Sequence, residues 1–307
     1  MEKVIVVIGP TSVGKTKMGV ALAKKFNGEV ISGDSMQIYK QMDIGTAKVT
    51  EEEKEGIIHH CVDILNSDET YSVHDFQQTV RKKITEIAQR GHVPIIVGGT
   101  GLYIKAALYD YQFDEMENDH HAINEKYKDY TNEQLHDHLK SIDEESAKTL
   151  HFNNRRRVLR AIEIYETTGN RKSEMLEEQE HICLYDAYFV GLTLPRDVLY
   201  ERINKRVDVM MENGLKEEME RLYSQGLTRN HQSMKAIGYK EWFDYYDHQI
   251  DLNDVLELIK KHSRQYAKRQ YTWFKNQFDV HWYDVNLENF EQTIEQVTDD
   301  IEKILKV

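Results

Sequence analysis

An α/β fold, with a parallel sheet core flanked by helices and an inserted, mostly helical domain, is predicted by three observations. A short apolar strand, Val4-Ile5-Val6-Val7-Ile8, runs through a glycine-rich octapeptide into a helical pattern carrying Met18, Ala21, Leu22 and Lys25. Two further apolar runs, 29–32 and 93–97, are separated by helical periodicity, as parallel strands joined by helical crossovers are. Between 111 and 150 the composition changes, with eleven acidic against four basic side chains and few aliphatics, before strand chemistry returns at 185–194.

The octapeptide is Gly9-Pro10-Thr11-Ser12-Val13-Gly14-Lys15-Thr16. Strand before and helix after make it a phosphate-binding P-loop, and the core P-loop NTPase-like. Gly9 and Gly14 let the backbone turn so that amide N–H groups converge on one anion. Lys15 adds a point charge, and the Thr16 hydroxyl is the candidate ligand for Mg²⁺. The motif calls for a phosphate chain without saying whether that chain belongs to a nucleotide such as ATP or to another molecule.

The second strand, 29–32, delivers Gly33-Asp34-Ser35-Met36-Gln37 to the sheet edge where open α/β folds place their ligands. Asp34 then faces the phosphate loop as a reactive carboxylate, or serves as an ordinary turn or capping residue. Ser72 and Asp75 open a helix in which Val73, Phe76, Val80, Ile84 and Ile87 repeat at helical spacing. The third strand ends in Gly98-Gly99-Thr100-Gly101-Leu102-Tyr103, where many P-loop nucleotidases carry a Mg²⁺-holding aspartate. Without that carboxylate the site is less suited to activating water against ATP. The double glycine either admits a substrate close to the backbone or makes a plain strand-to-helix turn.

The organisation expected is a first part of the catalytic core at 1–110, an inserted helical domain at 111–184, and a second part of the core with C-terminal helices at 185–307. Within the insertion, helical segments run near 131–139 and 143–150. A clearer helix from Asn153 carries Arg155, Arg156, Arg157 and Arg160, buries Val158, Ile162 and Tyr165, and stops at Gly169-Asn170. Arg156 and Arg160 share a face, either as a phosphate-binding patch or as a solvated face paired with glutamates. Pro195 opens a helix with Leu199, Ile203 and Val207 inward and Arg202 and Arg206 beside them, able to grip an anion or to pair with Glu201 and Asp208. A last long helix from Asn253 carries Leu256, Ile259, Tyr266 and Trp273 inward. Over 260–278 it has Lys260, Lys261, Arg264, Lys268, Arg269 and Lys275 with interleaved aromatics and no carboxylate, a face suited to nucleic acid or simply solvated.

The 307 residues allow two domains, and 40 basic against 53 acidic side chains leave a formal charge of −13. Any nucleic-acid surface is therefore local. Cys61 and Cys183 stand far apart, which suggests neither a disulfide framework nor a zinc site. No run approaches a membrane span or a secretory leader, so a cytoplasmic protein is expected.

Taken in order, the octapeptide, Ser32-Gly33-Asp34-Ser35-Met36-Gln37-Ile38-Tyr39, Asp43-Ile44-Gly45-Thr46-Ala47-Lys48 and Gly98-Gly99-Thr100-Gly101-Leu102-Tyr103 closely resemble the bacterial tRNA dimethylallyltransferases (tRNA isopentenyltransferases). Arg206-Val207-Asp208 with Met210, Gly214-Leu215 and Glu218, Ala236-Ile237-Gly238-Tyr239-Lys240-Glu241, and Tyr266-Ala267-Lys268-Arg269-Gln270 with Thr272-Trp273-Phe274 extend the resemblance. It implies transfer of a dimethylallyl group from dimethylallyl diphosphate to the exocyclic amine of the adenosine just 3′ of the anticodon, with Mg²⁺ as cofactor. The cradle would hold the diphosphate, Arg206 would help neutralise it, Thr100 would line the channel and Asp34 would take the amine proton. Asp34, Ser35, Met36, Gln37 and Thr100 would contact the target nucleotide. Arg156, Arg160, Lys268 and Arg269 would grip the anticodon stem-loop of a tRNA bound by a monomer. An arginine expected some twenty residues past Gly101 has no counterpart among Asp119, His120, His121 and Ile123. Two competing readings remain: a small-molecule kinase using the cradle for ATP, and a nucleotide-dependent RNA-binding switch without chemistry.

Overall fold

The computed structural model describes residues 1–111, 120–178 and 182–305. Asp119 and the side chains of His120 and His121 lie outside the described residues. The chain divides into two compact units, one of Met1–Tyr109 with Cys183–Val307 and one of Asp110–Ile182.

In the first unit the order is β1 (Lys3–Ile8), α1 (Lys15–Lys25), β2 (Gly28–Ser32), α2 (Glu51–Lys54), β3 (His59–His60), α3 (Val73–Gln89), β4 (Val93–Val97) and α4 (Gly101–Leu108). The second unit contributes α5 (His120–Lys126), α6 (Asn132–Ile142), α7 (Glu144–Thr149), α8 (Arg155–Thr168) and α9 (Lys172–Glu178). The first then resumes with β5 (Asp186–Thr193), α10 (Arg196–Glu212), α11 (Leu215–Ser224), α12 (Trp242–Tyr246), α13 (Leu252–Gln277), β6 (His281–Asp284) and α14 (Phe290–Leu305).

The strands form one parallel sheet in the order β3-β2-β4-β1-β5-β6. Because side chains alternate along a strand, Val4, Val6 and Ile8 of β1 pack into one core while Ile5 and Val7 pack into another. The first core is closed by Phe76, Val80 and Ile84 of α3 together with Ile104 and Leu108 of α4. Met18 and Leu22 of α1, Leu199 and Ile203 of α10, and Val297 and Ile301 of α14 close the second. A sheet covered on both faces in this way is what a near-continuous apolar β1 requires. The second unit has its own core, built from Leu135 and Leu139 of α6 and Val158 and Ile162 of α8.

The helix starts follow local chemistry. Ser72 accepts from the Asp75 amide and Asp75 accepts from the Ser72 amide, a reciprocal cap that fixes the first turn of α3. Asp251 and Asp254 do the same for α13, which therefore begins at Leu252, one residue before the expected start. Its inward stripe is Val255, Ile259, Ala267, Gln270 and Phe274; Leu256, Tyr266 and Trp273, expected inside, are half-buried. On α8 Tyr165 is likewise half-buried, and Leu159, Ala161 and Ile164 join the buried face instead.

Candidate active site

β1 lies between β4 and β5, so the loop that follows it emerges from the middle of the sheet at the carboxyl edge. The loop keeps its shape through backbone conformations that side chains resist. Gly9 has φ 147° and Gly14 φ 96°, and a Cβ at Gly14 would lie 2.7 Å from the Phe290 ring. Ser12 also sits at positive φ, 69°, and its hydroxyl is buried without a hydrogen-bond partner. α10 reaches the loop from above: Arg206 donates to the Thr11 hydroxyl at 3.2 Å and Arg202 to the Ser12 carbonyl at 3.0 Å. Among the described residues neither arginine pairs with Glu201 or Asp208; both contact the phosphate loop.

Lys15 folds back to donate to the Pro10 carbonyl at 2.7 Å. Burial, and then the neighbouring Arg206 guanidinium, lower its pKa from 10.5 to about 7, while Asp34 opposes the shift. Burial likewise lowers the Arg206 pKa, again opposed by Asp34. Two half-buried cations held together are stabilised by any anion placed between them and the loop amides.

Asp34 follows β2 and is half-buried. Its Oδ1 accepts from the Met36 amide at 2.8 Å and the Gln37 amide at 3.4 Å, so the turn reading is correct for that oxygen. Among the described residues Oδ2 has no hydrogen-bond partner. The same carboxylate raises the proton affinity of Lys15, Arg206 and Tyr266, which places it within electrostatic reach of all three. Thr100 Oγ1 accepts from the Ser35 amide at 3.2 Å, and the Thr100 amide donates to the Gly33 carbonyl at 3.2 Å, joining the ends of β2 and β4.

Of the two readings of the glycines after β4, internal packing at the strand-to-helix turn is the one their surroundings support. A Cβ on Gly98 would lie 2.3 Å from the Gly33 carbonyl carbon, one on Gly99 2.2 Å from Gln270 Nε2, and one on Gly101 2.2 Å from the Trp273 ring. Their faces are occupied by the protein's own backbone and by α13, so they permit internal packing rather than the approach of a substrate.

The stretch after Asp34 is pinned from afar. Buried Glu218 on α11 accepts from the amides of Asp43, Ile44 and Gly45 at 2.8 to 3.0 Å and from the Tyr239 hydroxyl at 2.6 Å. Buried Lys48 donates to the Tyr39 carbonyl and pairs with Asp43 and Asp63. Gln37 thereby has a fixed seat, its amide between Ser32 Oγ and the Thr46 and Ala47 carbonyls.

The basic patches are narrower than their sequences. On α13 Lys260 is paired with Asp208 and Glu257, and Arg264 donates to Asn204, whereas Lys268 and Arg269 are exposed and border a groove of about 500 Å³ with Thr272 and Trp273. In the second unit Arg155 donates to the Tyr127 and Tyr130 carbonyls and Arg160 pairs with Glu163, leaving Arg156 and Arg157 exposed. Among the described residues the half-buried Thr16 hydroxyl makes no hydrogen bond, and no group of three or more His, Cys, Asp or Glu side chains could hold a metal. A Mg²⁺ ion at Thr16 would complete its coordination with phosphate oxygens and water, which suits its reluctance to dehydrate. No helix among the described residues is long and apolar enough to cross a membrane.

Fold and site define a P-loop α/β protein with a two-cation anion cradle facing the Asp34 carboxylate, the class to which phosphate- and diphosphate-handling enzymes belong. The model of the IPP transferase family matches residues 37–277, and the chain belongs to that family. It is 54% identical over 287 residues to the tRNA dimethylallyltransferase of Bacillus cereus strain AH187, covering 92% of this chain and 90% of the relative, and equally identical to that of Bacillus anthracis, at 92% and 91%. The crystal structure of a tRNA isopentenylpyrophosphate transferase from Bacillus halodurans superposes with a TM-score of 0.78 at 45% identity, covering 100% of this chain and 97% of that one. A eukaryotic dimethylallyltransferase acting on tRNA gives 0.85 at 32% identity, with coverages of 99% and 79%.

Proposed function

We propose that this chain transfers a dimethylallyl group from dimethylallyl diphosphate to the exocyclic amine of the adenosine 3′-adjacent to the anticodon of tRNA, releasing diphosphate. Membership of the family supports the reaction class. The observation that carries the assignment of roles is the facing pair: a cradle that brings Lys15 and Arg206 together, and within their electrostatic reach the Asp34 carboxylate, whose Oδ1 is engaged by the Met36 amide.

The allylic carbon–oxygen bond breaks as the nitrogen–carbon bond forms, and the diphosphate leaves with the electron pair. The loop amides of 12–16, Lys15 and Arg206 meet the charge that grows on it, the Thr11 amide being held by Gln270. The Thr16 hydroxyl would hold Mg²⁺, which would supply further neutralisation of that charge. An aromatic amine is a weak nucleophile, so its proton must go as the bond forms, and it goes to Asp34 Oδ2 while Oδ1 stays on the Met36 and Gln37 amides. Ser35, Met36, Gln37 and Thr100 line the seat of the flipped base. Taking that base out of a loop costs a few kcal/mol. Arg156 and Arg160 of the second unit and Lys268 and Arg269 of the first supply backbone contacts, Arg160 only by giving up Glu163. The protein acts as a monomer in the cytoplasm, where its substrate is.

Incubation with tRNA and dimethylallyl diphosphate, followed by mass analysis of anticodon-loop nucleosides, tests the reading. The expected result is one five-carbon addition at the adenosine beside the anticodon without ATP. Transfer of label from the γ-phosphate of ATP to an acceptor would make the chain a kinase instead.

A further inference from the structure

Gln270 lies on the buried face of α13, only 6% exposed, in the stripe that contains Ala267 and Phe274. A carboxamide in such surroundings is costly unless both ends are paired. Both are: Oε1 accepts from the Thr11 amide in the phosphate loop at 3.0 Å, and Nε2 donates to the Gly99 carbonyl at 2.9 Å. The fit at the second end is close enough that a Cβ on Gly99 would lie 2.2 Å from Nε2. The next residue, Thr100, holds the Ser35 amide and the Gly33 carbonyl, the residues on either side of Asp34. One side chain therefore spans from the cradle to the turn that presents the carboxylate.

We propose that Gln270 is a positioning residue for the transfer: a crossbar that sets the separation between the cradle holding the leaving diphosphate and the turn carrying Asp34. The inference rests on the reaction proposed above. It engages the Thr11 amide itself and brings no charge to the cradle, so its contribution lies in alignment and not in affinity for either substrate. Misplacing a reacting group by about 1 Å costs on the order of 100-fold in rate, which is the scale expected when the crossbar is lost. Glutamate at this position separates the two ends. Its ionised carboxylate still accepts from the Thr11 amide but cannot donate to the Gly99 carbonyl; once protonated, it donates there as the native amide does.

The test compares wild-type, Q270M and Q270E proteins in single-turnover prenylation of an anticodon stem-loop at pH 6 and pH 8, with separate binding measurements for dimethylallyl diphosphate and the stem-loop. Wild-type transfer is the control: its failure would remove the proposed reaction, whatever the variants do. Given wild-type activity, the Q270M rate is expected to fall about 100-fold while both dissociation constants stay within about threefold. The rate of Q270E, taken as a ratio to wild type, is expected to rise at least about fivefold from pH 8 to pH 6, because burial lifts a carboxyl toward that range. Each protein is its own folding control across the pH change. A Q270M rate within about threefold of wild type, a loss explained by weaker binding, or a Q270E ratio that does not change with pH would overturn the proposal.

Discussion

At the residue scale the site turns on Asp34 and Lys15, and each makes a separable prediction. Because Asp34 Oδ1 is tied to the Met36 and Gln37 amides, Asp34→Ala removes a turn as well as a base. Asp34→Asn keeps an oxygen acceptor for the turn and loses only the proton acceptor. Turnover of Asp34→Asn should fall by roughly 10²–10⁴-fold with stem-loop affinity unchanged, the usual scale for general-base loss; near-normal turnover would leave the residue a turn carboxylate alone. Lys15, lowered to about 7 by burial and by Arg206, is largely neutral above that pH when no anion is bound. Anion binding restores its charge and so takes up a proton. Diphosphate affinity should therefore weaken as pH rises from 7 to 9, by up to about tenfold per unit. Affinity that is flat over that interval would contradict the placement of the lysine. The P-loop and Asp34 were legible in the sequence because a strand, a loop and a helix are local. Gln270 was visible only as part of a family segment, because its two partners are 259 and 171 residues away.

At the scale of elements, the strongest sequence signals were caps and periodicity. The reciprocal Ser72–Asp75 cap and the inward Phe76, Val80, Ile84 and Ile87 of α3 are as expected, while Val73, in the first turn, is only half-buried and Gln77 joins the buried face. On α13 Ile259 is inward as expected, but Tyr266 and Trp273 are half-buried because their rings border the turn at Gly99 and Gly101. β3 and β6, two and four residues long and polar at their ends, carry too little alternation to be read at all. α14 could have been found, since Phe290, Ile294, Val297 and Ile301 recur at helical spacing. The pairing of Arg160 with Glu163, against the exposure of Arg156, decides between the two arginines. Arg156→Ala should weaken stem-loop binding and lower the salt slope by about one, as should Lys268→Ala, each losing one phosphate contact. Arg160→Ala should change the slope less. Equal effects at all three would mean that the Glu163 pair opens on binding.

At the scale of the whole molecule, the sheet edge away from the site is held by a buried carboxylate that no sequence pattern signalled. Glu29, 2% exposed, meets His60 of β3 and Arg90 and His92 of the turn between α3 and β4. Burial pushes its pKa up, but the hydrogen bonds from Arg90, His60 and His92 outweigh that and hold it at about 2, against 4.5 ordinarily. A carboxyl with a depressed folded pKa contributes stability that is complete above about 4.5 and is lost as pH falls toward 2. Glu29→Gln should lower unfolding stability at pH 7 by on the order of 2 kcal/mol and flatten the acid limb between those values. An acid limb identical to wild type would remove the cluster from the account of β3. The −13 charge gave no sign of a nucleic-acid substrate, because only a few exposed cations on α8 and α13 bear on it. The measurement that tests the central claim most directly is the count of diphosphate released against allylated adenosine formed, with ATP absent. The cradle facing Asp34 predicts one for one; diphosphate without modified base, or modified base only when ATP is added, would contradict it.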